Sequence, residues 1–135
     1  MLKLIIGVKG TGKTKALIKL VNDAVEKSRG NVVCIEKGVK LRFDIKYRAR
    51  LIDVNEYFVD DAEKLYGFVA GILASNHDVT DLFIDSSLKI CKDDMAAFDA
   101  FVAATADIAE KIGVNIIMTA SMPVEDASET VKKYL

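Results

Sequence analysis

Gly7-Val8-Lys9-Gly10-Thr11-Gly12-Lys13-Thr14 satisfies the pattern G-x-x-x-x-G-K-[ST] at every fixed position. Each residue type has a physical reason to be there. Glycines let backbone N–H groups curl inward around phosphate oxygens, and a helix opening just afterwards adds its partial positive charge. Lys13 would reach the β- and γ-phosphates, and the Thr14 hydroxyl would hold Mg²⁺. A random chain of this length matches the pattern roughly once in two hundred. Here it also follows the apolar run Leu2-Lys3-Leu4-Ile5-Ile6 and precedes a helical pattern, which is the context the chemistry needs. The eight residues 7–14 therefore read as a site for a nucleoside phosphate.

A second candidate is Asp85, which closes the apolar run Leu82-Phe83-Ile84. A carboxylate at the C-terminal end of a buried strand points into the crevice where ligands sit. Alone it could simply cap the following turn. Coupled to the glycine loop, it suits a Mg²⁺ ligand acting through water on the ion held by Thr14. His77 lies in a polar loop and reads as solvated, and Asp93-Asp94 read as helix caps.

These groups need elements to hold them. At 135 residues, half of them apolar and 29% charged, the chain has the composition of one globular domain spanning 1–135. Strands are expected at 2–6, 31–36, 50–54, 81–85 and 114–120, most of them continuously apolar. Helical spacing runs from Thr14 to about Arg29, where Gly30 is placed to stop it. Asp60 would cap a helix ending near Asn76. Another helix, Asp93 to Lys111, would bury Ala97, Phe101, Ala104, Ile108 and Ile112, and a short one follows Pro123. Alternating strands and helices with two-sided apolar strands predict a three-layer α/β sandwich, a mainly parallel five-stranded sheet with helices on both faces.

The net charge of −1 gives no global attraction to nucleic acid or an acidic membrane. The N-terminal apolar run is too short for a signal peptide, and no stretch is long enough to insert in a membrane. Cys34 and Cys91 match no metal spacing and suit a reducing, cytoplasmic setting.

With these motifs in place, the chain resembles the P-loop NTPases, with Walker A at 7–14 and Walker B ending at Asp85. Within them it is most similar to the RecA-like ATPases. The strand after the first helix ends in an acid, "VVCIE"; a further strand and helix precede "FIDSS"; and "GVNIIMTAS" ends in polar residues. The resemblance implies a RecA-like P-loop fold, ATP and Mg²⁺ as ligands, and Lys13 and Glu36 as catalytic residues, Glu36 orienting the attacking water. It also implies Thr119 or Ser121 as the γ-phosphate sensor, where relatives usually carry Gln or Asn, while the family's DNA-binding loops are missing or very short. Read from residues alone, Glu36 could equally be a solvated strand end. No Asn-Lys-x-Asp motif follows Asp85, so ATP is preferred to GTP. The expected activity is slow or partner-stimulated ATP hydrolysis. The alternatives are a non-hydrolysing, nucleotide-dependent binding module and a small-molecule kinase, the latter lacking lid arginines after Asp85.

The remaining signal is 39–51, "VKLRFDIKYRARL", apolar at odd positions and mostly basic at even ones. Strict alternation predicts one extended strand, or a hairpin turning near Asp44, with a basic face and an apolar face. Residues 37–50 hold six basic residues and one acid, a local +5. The segment is expected to be a charged edge strand, a contact for a protein partner or second copy, or a patch for nucleic acid. Arg42, Arg48 and Arg50 could also reach a neighbour's γ-phosphate. Phe43 and Tyr47 fall on the opposite, apolar face of such a strand, which argues against base stacking.

Overall fold

In the computed structural model, which describes residues 1–135, every one of the five strand segments pairs in parallel. They are β1 (Leu2–Gly7), β2 (Asn31–Glu36), β3 (Arg50–Asp53), β4 (Val79–Ile84) and β5 (Asn115–Ser121). Their order across the sheet is β1-β5-β4-β2-β3. The helices are α1 (Lys13–Lys27), α2 (Ala62–Ser75), the single-turn α3 (Ser87–Ile90), α4 (Met95–Ile112) and α5 (Glu129–Lys132). This is the α/β sandwich the sequence predicts.

The pleat sends alternate residues of each strand to opposite faces, and both faces are covered. Val33 and Ile35 of β2 join Leu82 and Ile84 of β4 and the apolar sides of α2 and α4 in a core of 28 buried residues. Val32, Cys34 and Phe83 face the other way, against Leu17, Val21 and Val25 of α1, in a core of nine. Helix α4 buries Phe98, Phe101, Val102, Thr105 and Ala109, a face rotated by about one residue from the expected one, and Ile112 is exposed.

Two local expectations are corrected. Asp61, not Asp60, caps α2 by accepting the Lys64 N–H at 2.8 Å, while Asp60 pairs with the Lys64 ammonium. Helix α1 ends at Lys27 without a left-handed glycine. Gly30 is required because a Cβ there would lie 2.1 Å from the Asp78 carbonyl oxygen. At the β1 edge of the sheet, the Leu4 N–H donates to the Tyr134 carbonyl at 2.8 Å.

The largest correction concerns 39–49, which forms no strand and no hairpin. The segment runs as turns, and its buried residues recur every fourth position, at Leu41, Ile45 and Ala49. These three complete the smaller core beside α1. The Asn22 side chain holds the segment to α1 by donating to the Asp44 carbonyl and accepting from the Lys46 N–H. With a spacing of four, everything between is turned outward. Phe43 is 87% exposed and Tyr47 94%, on the same solvent side as the arginines and not opposite them.

Candidate functional site

Parallel strands in register deliver their C-terminal ends to one edge of the sheet. Gly7 lies opposite Ser121, and Glu36 opposite Asp53. Asp85 follows β4 directly, its N–H tied to the Ile35 carbonyl at 2.8 Å. The loop between β1 and α1 closes over this edge. Gly10 and Gly12 both sit at φ 85°, a conformation other residues adopt at a cost of about 1–2 kcal/mol.

Gly12 is also the N-cap of α1 and supplies no side-chain acceptor. The other two long helices, α2 and α4, are capped by Asp61 and Asp94. The first turn of α1 carries no acid, although a carboxylate there would stabilise the helix dipole. Its leading N–H groups, with Lys13 and Lys15, instead concentrate positive character at this point. Lys13 lies over the loop, its ammonium donating to the Val8 carbonyl at 2.9 Å, and the Thr11 hydroxyl donates to the same oxygen at 2.7 Å.

Facing the loop is a connected oxygen cluster. The Thr14 hydroxyl donates to Asp85 Oδ1 at 3.1 Å, and the buried Thr119 hydroxyl donates to the same oxygen at 2.8 Å. Thr119 in turn accepts the Ser86 N–H at 2.8 Å, fixing a turn in which Ser86 sits at φ 56°. Ser87 adds a hydroxyl donated to the Thr119 carbonyl at 2.7 Å. Three residues from α1, the end of β4 and β5 are thus held by one another.

Glu36 ends β2 and is 3% exposed. Its carboxylate accepts the Lys40 N–H at 3.1 Å and the Leu41 N–H at 3.3 Å. Burial pushes its carboxyl above the ordinary glutamate range, the two N–H donors pull it back, and the charges of Asp53 and Asp85 push it up again. Glu36 is therefore a strand-end carboxylate turned inward, neither solvated nor free.

The loop, Glu36, Asp85, Thr119 and Ser121 line one cleft of about 440 Å³. Gly10, Gly12, Lys9, Lys13 and Thr14 of the expected loop set are on its wall; Gly7, Val8 and Thr11 shape the loop from behind. A Cβ at Gly7 would come within 2.8 Å of the Thr11 hydroxyl, so any larger residue there would push the Thr11 side chain off the Val8 carbonyl. Sequence reasoning missed several lining residues. Lys89 projects from α3, and Lys37 and Lys40 turn in from the segment after Glu36, making six lysines with Lys9, Lys13 and Lys15. Asp93 also lines the cleft, while its neighbour Asp94 is the helix cap. The spacing Asp85-Ser86-Ser87-Leu88-Lys89 held the signal, a cation one helical turn beyond the strand-end acid.

Leu41 is the one apolar side chain in the lining, where the six lysines stand with the carboxylates of Glu36, Asp85 and Asp93. No cluster of three or more His, Cys, Asp or Glu side chains occurs in the chain. A metal here would rest on Thr14, Asp85 and ligand oxygens, the hard and sparse donor set that suits Mg²⁺. Arg48, a candidate to reach a neighbouring molecule, is instead tied to α1 by donating to the Val25 carbonyl at 2.6 Å. No helix is long and apolar enough to cross a membrane.

No protein-family model matches the sequence, and no curated protein matches it. Among solved structures, the chain is similar to a KaiC-like protein from Pyrococcus horikoshii, with a TM-score of 0.71 and 17% sequence identity. The likeness covers 98% of this chain and 66% of that one, so this chain spans about two thirds of its length. At that identity the likeness shows the fold, a five-stranded parallel α/β sandwich of the RecA-like kind.

Proposed function

We propose that the chain is a P-loop nucleotide-binding protein that takes Mg·ATP in the 440 Å³ cleft and hydrolyses it slowly. One observation carries the reading. The uncapped, acid-free start of α1, six lysines and the Thr14–Asp85 pair converge on a single polar cleft at the C-terminal edge of a parallel sheet. Against the carboxylates of Glu36, Asp85 and Asp93, the six lysines leave an excess of positive charge that suits an anionic ligand.

In this reading the backbone of Gly10 to Thr14 and the Lys13 ammonium hold the β- and γ-phosphates. Lys13 reaches them by leaving the Val8 carbonyl. Thr14 and Asp85 hold Mg²⁺, which, when bound, neutralises phosphate charge and orients the terminal phosphoryl group. Thr119 keeps Asp85 in place, and Ser121, beside Gly7 at the end of β5, faces the γ-phosphate. Lys37, Lys40 and Lys89 supply positive charge from within the chain, so the γ-phosphate does not depend on a neighbour's arginine alone. Preference for ATP rests on the missing guanine-reading motif, because the polar cleft contains no base pocket.

A second reading is favoured by the bonds of Glu36. Its carboxylate is occupied by the N–H groups of Lys40 and Leu41. To orient water it must release them, and with them the start of the 39–49 segment. Nucleotide binding would then set the conformation of that segment, with turnover secondary.

Thermal unfolding with and without Mg·ATP tests the site. A ligand at a hundred times its Kd stabilises by about 2.7 kcal/mol, and Lys13→Ala should abolish the shift while leaving the unliganded midpoint in place. Equal shifts in the two proteins would refute the assignment. Turnover that vanishes in Glu36→Gln supports hydrolysis. Turnover absent from wild type, with the shift intact, supports the binding module.

A further inference from the structure

Residues 39–50 combine features that the nucleotide cleft does not use. Burying every fourth residue leaves Phe43 and Tyr47 standing in solvent, 87% and 94% exposed. Neither ring packs on another aromatic ring; the one such pair in the structure is Tyr57 with Phe68. The Arg42 guanidinium instead lies 4.9 Å from the centre of the Phe43 ring, a cation held against an aromatic face.

Beside them runs an open groove of about 500 Å³, lined by Arg42, Lys46, Arg48, Arg50 and Tyr47 over an apolar floor. No carboxylate lines it. Lys46 and Arg48 are partly engaged by α1, through Glu26 and the Val25 carbonyl. Arg42 and Arg50 take part in none of the five ion pairs of the structure. Residues 37–50 carry +5 in a chain whose net charge is −1, so the field is local.

Each candidate partner asks for something different. An acidic peptide would satisfy the cations, but it has no use for two protruding ring faces. An anionic bilayer would take both cations and rings, yet it is flat and does not need a groove. A single nucleic-acid strand uses all three features, since its phosphates follow a basic groove while its unpaired bases stack on exposed rings. A duplex hides its base faces and could use only the charges.

We propose that the groove beside residues 39–50 is a docking surface for single-stranded nucleic acid. Arg42 and Arg50 contact phosphates, and Phe43 and Tyr47 each stack a base. The surface is separate from the 440 Å³ cleft, and the proposal does not depend on what that cleft binds.

The test is fluorescence anisotropy of a labelled oligothymidylate with the full chain, from low salt upward. A matched duplex, phosphatidylserine vesicles and polyglutamate serve as competitors. The single strand should bind at low salt and displace roughly tenfold better than the duplex. Phe43→Ala with Tyr47→Ala should weaken binding about tenfold or more without changing the salt slope, because stacking releases no counterions. Arg42→Ala with Arg50→Ala should lower the slope of log affinity against log salt by about 0.7 for each phosphate no longer neutralised. All four side chains are outside the core, so the thermal midpoints should stay together, and a variant that unfolds early is replaced by Phe43→Ser or Arg42→Gln. No binding at low salt would overturn the proposal. So would indifference to removal of the rings, or equal competition by duplex, vesicles or polyglutamate.

Discussion

Replacing Thr119 by valine keeps the shape of the side chain and removes only its hydroxyl. That hydroxyl is 1% exposed with the rest of the residue and makes two bonds of 2.8 Å, one donated to Asp85 Oδ1 and one accepted from the Ser86 N–H. Valine satisfies neither group. A buried polar group left unpaired costs about 1–3 kcal/mol. The Ser86 N–H has no second acceptor, whereas Asp85 keeps the Thr14 hydroxyl, so the total should be about 2–4 kcal/mol. For a domain of this size each kcal/mol moves the thermal midpoint by roughly 3–5 °C, which gives a fall of about 6–20 °C. Thr119→Ser retains both bonds and loses one methyl group, so it should lose only about 1 kcal/mol. Urea unfolding of the two variants beside wild type separates the contributions. If valine is no worse than serine, the hydroxyl does not hold Asp85, and the oxygen cluster is not built through Thr119.

Two further outcomes follow from buried polar groups. Because burial raises the Glu36 carboxyl, the folded state binds that proton more tightly than the unfolded chain. Wild type should therefore lose stability relative to Glu36→Gln as pH rises from about 4.5 through the raised value, and the two should converge at lower pH. A difference in midpoint that is constant across this window would contradict the assignment. The Thr105 hydroxyl, inside α4, is buried with no hydrogen-bond partner. Thr105→Val should raise stability by about 1 kcal/mol, and a decrease of that size in urea unfolding would mean the hydroxyl has an acceptor.

The residues that converge on the cleft were legible because each sits where an apolar strand gives way to a polar residue. Gly7, Glu36, Asp85 and Ser121 all mark such transitions, and parallel strands bring the transitions to one edge. Asp93 was not legible, since it belongs to a left-handed turn that no periodicity announces, and Lys89 sits on a single-turn helix whose one trace in the sequence is a cation four residues beyond Asp85. The 39–49 segment misled for a specific reason. Leu41, Ile45 and Ala49 belong to both a period of two and a period of four, and the extra apolar residues Phe43 and Tyr47 favoured the former. What breaks the strand is tertiary: Glu36 takes the N–H groups of Lys40 and Leu41, and Asn22 grips Asp44 and Lys46. In α4 the many alanines blur the boundary between faces, so Phe98 and Val102 decide it only once the sheet is present.

The two faces of the sheet are closed by unequal means, 28 buried residues on one side and nine on the other. On the smaller side, part of the cover is not a helix but the turns around Leu41, Ile45 and Ala49. Those turns are stitched by few backbone hydrogen bonds, among them Asp44 and Ile45 to the Leu41 carbonyl and Ala49 to that of Lys46. Native proteins open in units, and the unit with the least buried apolar surface opens at the lowest free energy. Amides of 38–49 should thus exchange with solvent through partial opening, long before those of β4 and β5 in the centre of the sheet. Because the same opening would free the backbone donors now held by Glu36, a segment expected to open early is also tied to the cleft.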